Sequence, residues 1–344
     1  MNKIYNYAIK VGMMMLCMGQ SIIAQESNWS WHYHKSIDSA QNANSNDIIF
    51  SQKKVPPFSQ LIFSWNALRP SEGHFTFYVS VKDASTEQWG SWHQVAKWGA
   101  GIQRSFRAKH DRNARHEYVR FEVDGGLADG FRIKVVAHDD AKVALLKALH
   151  VNVSDFSRFA GEVPQSLYTL GSVEIPDVPR FSQRELDHPR SSDLCSPTAC
   201  SMLVSYLTKQ KVNPLEFAQG AFDQGLDIYG SWPFNVAHAF ERSQGKVLFA
   251  TSRLNSFKDI HRQLCSGFPV VVSVRGDLQG APKAYSNGHL LVVVGWDADR
   301  KVVICHDPAF ETSEQTLAHY PIDSFLSAWE RSRRLSYLAR PHSF

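Results

Sequence analysis

The sequence predicts an all-β sandwich followed by an α+β domain. Three observations carry this. Residues about 26–155 alternate apolar and polar side chains with period two, residues from about 179 onward place helical spacing first and Val-rich strands after it, and a stretch rich in Pro, Gly and Ser separates the two. At 344 residues the chain is long enough for two separate cores.

Before the first strand lies "MNKIYNYAIKVGMMMLCMGQSIIAQES", with Lys3 and Lys10, an apolar run and then Ala24. A charged start, a short apolar centre and a small residue at the cut define a secretory signal peptide over residues 1–24. The run is too short to read as a bilayer span, and no later stretch is apolar for long enough. The expectation is export to the periplasm or the medium, with an uncleaved anchor as the alternative. A formal net charge of +4 without a basic helix argues against a nucleic-acid partner.

In residues 26–155, "HFTFYVSVK" puts Phe75, Phe77, Val79 and Val81 on one face. "YVRFEVDGG" and "FRIKVVAHD" repeat the pattern between Gly and Asp turns, as in antiparallel sandwiches. This part also holds Trp65, Trp89, Trp92 and Trp98, which serve either as core packing or as flat platforms for a polymer or surface ligand. Residues 156–178 read as a linker laid along the surface.

The domain over 179–344 begins with "CSPTACSMLVSYL". Ala199, Met202, Leu203, Tyr206 and Leu207 recur there at helical spacing. Asn213 caps a second helix with Pro214 at its first position, and Ser256 with Asp259 has capping-box spacing. "PVVVSV", "HLLVVVGW" and "KVVICHD" are strands, "PIDSFLSAWERS" a late helix and "LSYLA" a last strand.

Pro197 fits a first helical turn, so Cys195 stands at the helix N-terminus, where free N–H groups and the dipole favour a thiolate. Cys200 lies a turn deeper and receives little of that field. Taken alone, Cys195 is more commonly a structural cysteine, and a disulfide between Cys265 and Cys305 stays open. A thiol nucleophile needs an imidazole base and a group to orient it. The strands around Asp297–Arg300 form a hairpin, and pairing across it at a residue sum near 597 sets His289 beside Asp307. His306 competes for the same place, but strand alternation turns it away. Taken alone, the pair is equally a polar strand end. The chain has no CxxC pair and no HExxH motif, so neither metal nor cofactor is expected; Walker, dinucleotide-binding and G-x-S-x-G patterns are also missing.

The blocks "VPRFSQ", "CSPTACSMLVSYL", "YGSWPFNVAHAF", "NGHLLVVVGWD" and "VVICHDPAF" resemble, in this order, the papain-fold cysteine peptidases of family 39. The resemblance spans residues 178–310. It implies a papain-like domain with Cys195 as nucleophile, His289 as general base and acid, and Asp307 as the orienting group. It further implies that the Gln183 amide and the N–H of Cys195 stabilise the oxyanion, and that Trp232, Asn235 and Gly288 line the substrate cleft. The family often has Gly after the nucleophile, where this chain has Ser196. The function implied is an exported thiol hydrolase acting on peptide or related amide bonds. The alternatives are a silent binding module on the same fold and a thiol acyltransferase sharing the acyl-enzyme.

Overall fold

A computed structural model of the chain describes residues 28–38, 46–107, 109–111 and 114–342. The signal peptide expected over residues 1–24 lies outside them. The first part is built of β1 (Ser30–Ser36), β2 (Asp47–Gln52), β3 (Gln60–Ala67), β4 (His74–Asp83), β5 (His93–Gly99) and β6 (Ile102–Ser105). It continues with β7 (Lys109–His110), β8 (Ala114–Glu117), β9 (Arg120–Val123), β10 (Ala128–His138) and β11 (Leu146–Ser154). These form two antiparallel sheets, ordered β1-β11-β3-β9-β8-β7 and β2-β10-β4-β5-β6. The alternating residues of both sheets meet in one core: Phe75, Phe77, Val79 and Val81 from β4 face Leu61, Phe63, Trp65 and Ala67 from β3. Of the four tryptophans in this part, Trp65 and Trp98 are core residues. Trp89 and Trp92 are half-buried, and the Arg132 guanidinium lies 4.6 and 4.4 Å from their ring centroids.

Residues 156–178 are packed against the second part. Leu167, Ile175 and Val178 enter its core, and β12 (Val173–Glu174) pairs with a strand of its sheet. The second part then runs α1 (Cys195–Thr208), α2 (Pro214–Ala221), α3 (Trp232–Arg242), β13 (Val247–Arg253), α4 (Phe257–Cys265), β14 (Val270–Gly276) and β15 (Tyr285–Asp297). It ends with β16 (Val302–His306), β17 (Leu317–Pro321), α5 (Ile322–Arg331) and β18 (Leu335–Pro341). The sheet order is β13-β18-β14-β15-β16-β17. Among the described residues no helix is long and apolar enough to cross a membrane. Cys195, Cys200, Cys265 and Cys305 are all free thiols, so the Cys265–Cys305 bond left open by the sequence is not formed.

Strand β13 carries no alternation because every one of its residues is buried. One edge pairs with β18, and the other would expose a row of unpaired backbone groups. Side chains of the first part cover it. Asn66 donates from Nδ2 to the Phe249 carbonyl (2.8 Å) and accepts from the Phe249 N–H (2.9 Å). Ser64 accepts from the Thr251 N–H and Asn152 from the Arg253 N–H. The face of β3 opposite its own core is therefore a polar template for an edge strand more than 180 residues away in sequence. Helix α3 adds to the union by inserting Phe234 and Ala237 into the core between the first two sheets. Replacing Asn66 with Ala leaves a buried N–H and C=O of Phe249 unpaired. It should cost about 2–4 kcal/mol in urea unfolding; a loss within ~0.5 kcal/mol would show that this edge is not closed by Asn66.

Candidate active site

The nucleophile candidate is positioned by α1. Cys195 is its first residue and half-buried, and the Ser196 N–H points to the sulfur along with the Leu290 N–H from β15. Burial alone would raise the thiol pKa. The hydrogen bond from His289, its charge and the two N–H groups outweigh that and hold it below the usual thiol value. Cys200, a turn further along, is buried in the core and its pKa is pushed far up by burial and by the Cys195 charge. Ser196, where Gly was expected, fits because its hydroxyl is hydrogen-bonded to Tyr337 at 3.1 Å inside the core.

His289 stands on β15, directly after Gly288, whose φ of +88° is a left-handed conformation that favours glycine. The hairpin turn falls one residue later than the sequence suggested. Asp297 pairs with Val302, a sum of 599, and an irregularity near Val294 brings this to 598 at Val292–His306. The shift leaves the essential contact intact, since Asp307 accepts from His289 Nε2 at 2.7 Å. That leaves Nδ1 as the ring nitrogen for the thiol. Burial lowers the imidazole pKa, but the Asp307 charge, its hydrogen bond and the Cys195 sulfur raise it to about 10. His306 points away from this site and donates from Nδ1 to the Pro179 carbonyl.

Asp307 is wholly buried and fully satisfied. Besides His289, Oδ1 accepts from the Ala309 N–H, and Oδ2 accepts from the hydroxyls of Tyr285 and Tyr320, each at 2.6 Å. Burial raises its pKa, and the imidazolium together with the two tyrosines brings it below the usual value. The Tyr285 ring is stacked on the imidazole with centroids 4.1 Å apart, fixing its plane. Both tyrosines escaped the sequence reading. Tyr285 lies four residues before His289 on one strand, so the period-two rule could have found it; Tyr320 gave no local signal.

Two expectations are changed by the structure. Gln183 lies beside Cys195 in the cleft, but its Nε2 donates to the carbonyls of Ser191 (2.9 Å) and Ser192 (2.8 Å). The amide that was expected to face an oxyanion thus holds the turn ahead of Cys195, and its Oε1 is buried without a partner. Asn235, expected in the cleft wall, is fully buried, and its amide donates to the carbonyls of Tyr229 and Ser231. It supports from behind a loop whose Tyr229 and Gly230 reach the cleft. Trp232 and Gly288 do line it. The cleft holds about 880 Å³ and takes Gln60, Arg120 and Glu122 from the first part of the chain into its wall.

Residues 175–337 match the model of the Peptidase_C39 like family. That stretch is a C39-like peptidase domain. Its sheet and helices are the papain-like fold of that family, preceded in this chain by the two antiparallel sheets of the first part. The C39-like domain is similar to a solved structure described as a C39-like peptidase from Bacillus anthracis, at 17% identity and a TM-score of 0.39, covering 50% of this chain and 99% of that one. It is also similar to xylellain, a cysteine protease from Xylella fastidiosa, at 12% identity and a TM-score of 0.34, covering 54% and 91%. No curated protein matches the chain.

The histidines of the C39-like domain and the first part give stability a pH dependence. His306 and His116 are buried, and burial lowers the pKa of each to about 4, against about 6.5 when unfolded. Folded pKa values below the unfolded one mean that stability is complete above about 6.5 and is lost as pH falls toward 4. His289 has the opposite sign, its contribution being lost only as pH rises through about 10, so it is constant across the acid window. The unfolding free energy from urea titration should fall steadily between pH 6.5 and 4.5, by up to about 3 kcal/mol per buried histidine. A flat profile would mean these rings are not held neutral.

Proposed function

We propose that the chain is an exported cysteine peptidase that hydrolyses peptide or related amide bonds, with its first part folded as a β-sandwich against the C39-like domain. The observation that carries this reading is the alignment of Cys195, His289 and Asp307, in which the thiol pKa is lowered and the imidazole pKa raised. Such a pair rests as thiolate and imidazolium near neutral pH. The Cys195 sulfur attacks the carbonyl carbon, and the carbonyl π pair moves to oxygen, where the Cys195 N–H at the start of α1 is placed to meet it. Gln183 serves as the second donor when it releases one of its two carbonyls. The imidazolium then gives its Nδ1 proton to the leaving amine as the C–N bond breaks, leaving an acyl-thioenzyme. His289 next takes a proton from water, the hydroxide adds to the acyl carbon, and the thiolate departs. Transfer to an amine in place of water would use the same intermediate.

Export is supported by the charge and hydropathy order of residues 1–24. Mature protein secreted with an N-terminus close after Ala24 would support it, and retention of Met1 would overturn it. The activity is tested by incubating wild type and Cys195→Ala with a mixed peptide library and reading new termini by mass spectrometry, with and without an added primary amine. New carboxyl termini from wild type alone are the expected result. Amine-capped products at equal yield would make the protein a transferase, and identical profiles for both proteins would remove the nucleophile assignment.

A further inference from the structure

The catalytic cleft is strongly cationic. Eight arginine and lysine side chains line it against two carboxylates, Glu122 and Asp193, and both acids are already in ion pairs, with Arg120 and Arg190. Arg253, Arg275, Lys283, Arg331 and Arg333 have no carboxylate within ion-pair distance among the described residues. These five come from β13, β14 and α5 and the segments after them, so they form a wall of one sign.

Arg253 is the unusual member, since its side chain is 94% buried (6% exposed). A buried guanidinium is ordinarily paired with an acid, because removing an ion from water without a counter-charge is costly. Here Nε donates to the Gln60 side-chain oxygen and Nη1 donates to the carbonyls of Ser332 and Arg333, each at 2.8 Å. These are neutral acceptors, and Nη2 has no protein acceptor among the described residues. The backbone of Arg253 is held by Asn152 and Ser30 on the far side. Its side-chain neighbours Gln60, Phe156, Trp232, Ser332 and Arg333 all line the catalytic cleft. A purely structural bolt would account for the three bonds. It leaves the guanidinium with no carboxylate in direct contact, Glu122 reaching it only through Gln60, and leaves Nη2 without a protein acceptor.

We propose that the cleft takes peptides that carry a carboxylate, and that Arg253 is the residue that receives it. The inference rests on the peptidase reading for the direction of the cleft, and it names the substrate class of that site. A planar guanidinium fixed through Nε and Nη1 presents Nη2 at a defined position, and an arriving carboxylate supplies the direct counter-charge that Glu122, reaching Arg253 only through Gln60, does not. The neighbouring cations draw such a ligand in at long range and make binding salt-sensitive. The carboxylate can come from an acidic side chain or from a free C-terminus.

Binding is separated from turnover by using the full chain with Cys195→Ala and three short alanine peptides carrying an uncharged nitrobenzofurazan label. One carries a central Glu and a C-terminal amide, one carries Gln and a free carboxyl group, and one carries Gln and an amide. At least tenfold tighter binding of one carboxylate form over the neutral peptide is expected, shrinking as salt rises, and the form that gains identifies the source. Arg253→Gln should bring that ratio close to one. Should Arg253→Gln fail to fold, Arg253→Lys decides, because it keeps the charge and loses the fork; at least a fivefold drop in the ratio is expected. Equal affinities for all three peptides, or an unchanged preference in a folded Arg253 variant, overturn the proposal. Acidic peptides that bind through Arg253 but are never cut by wild type would remove the peptidase reading and leave this one. Cleavage of neutral and acidic peptides at equal rates would do the reverse.

Discussion

His289→Ala should slow alkylation of Cys195 by iodoacetamide by tens of fold at pH 5. A thiol of ordinary pKa, about 8.5, is less than about 0.1% thiolate at that pH, and the variant loses the hydrogen bond and charge of His289 that hold the Cys195 pKa below its usual value. The greater nucleophilicity of a more basic thiolate offsets part of the difference, which is why the effect is tens of fold and not thousands. Cys265 is exposed at the end of α4 and provides an internal reference in the same sample, while buried Cys200 and Cys305 should stay unlabelled until the protein unfolds. Mass-spectrometric assignment of each site reads all four at once. Cys195 labelling at the same rate with and without His289 would mean that no ion pair exists, and would turn attention to the chain as a binding module.

Asp307→Ala should be the most damaging single change to both stability and chemistry. It strips a partner from His289 Nε2, from the hydroxyls of Tyr285 and Tyr320 and from the Ala309 N–H, all of them on buried residues. Breaking a buried charge pair costs about 3–5 kcal/mol, and the stranded hydroxyls add to that. Turnover should fall by about 10²–10⁴, from loss of the orienting charge. Asp307→Asn separates the two effects, because it preserves shape and most hydrogen bonding and removes the charge. Its unfolding free energy in urea should stay within ~2 kcal/mol of wild type, with turnover nearly as low as in the alanine variant. An Asp307→Asn protein with wild-type turnover would show that His289 needs no anionic partner.

The two substitutions act on a site whose local parts are readable along the chain. The N-terminal helical position of Cys195 follows from Pro197 and the apolar stripe behind it, and the meeting of His289 with Asp307 follows from a hairpin that tolerates a shift of two in register. The alternation of Phe75, Phe77, Val79 and Val81 correctly picks the core face of β4, although Thr76 and Ser80 on its other face are buried as well. Each of these depends on residues near one another in sequence, where backbone period and turn chemistry decide the outcome.

Other features were set by contacts that no period records. Asn235 reads as a cleft residue until α3 is seen to bury it, and Gln183 reads as a free amide until the Ser191–Ser192 carbonyls claim it. Tyr320 reaches Asp307 only because β17 folds beside β16. Strand β13 gives no alternating signal, since its outer edge is closed by Asn66, Ser64 and Asn152 from the first part. The same packing brings Gln60 to Arg253 across 193 residues and makes the β-sheets of the first part a wall of the cleft. The sequence by itself determined the periodic elements such as β4 and α1, the nucleophile candidate and the hairpin partners, because these are local. Tertiary structure alone decided which polar groups share a buried partner and where unpaired charge collects, because both depend on which distant surfaces exclude water together.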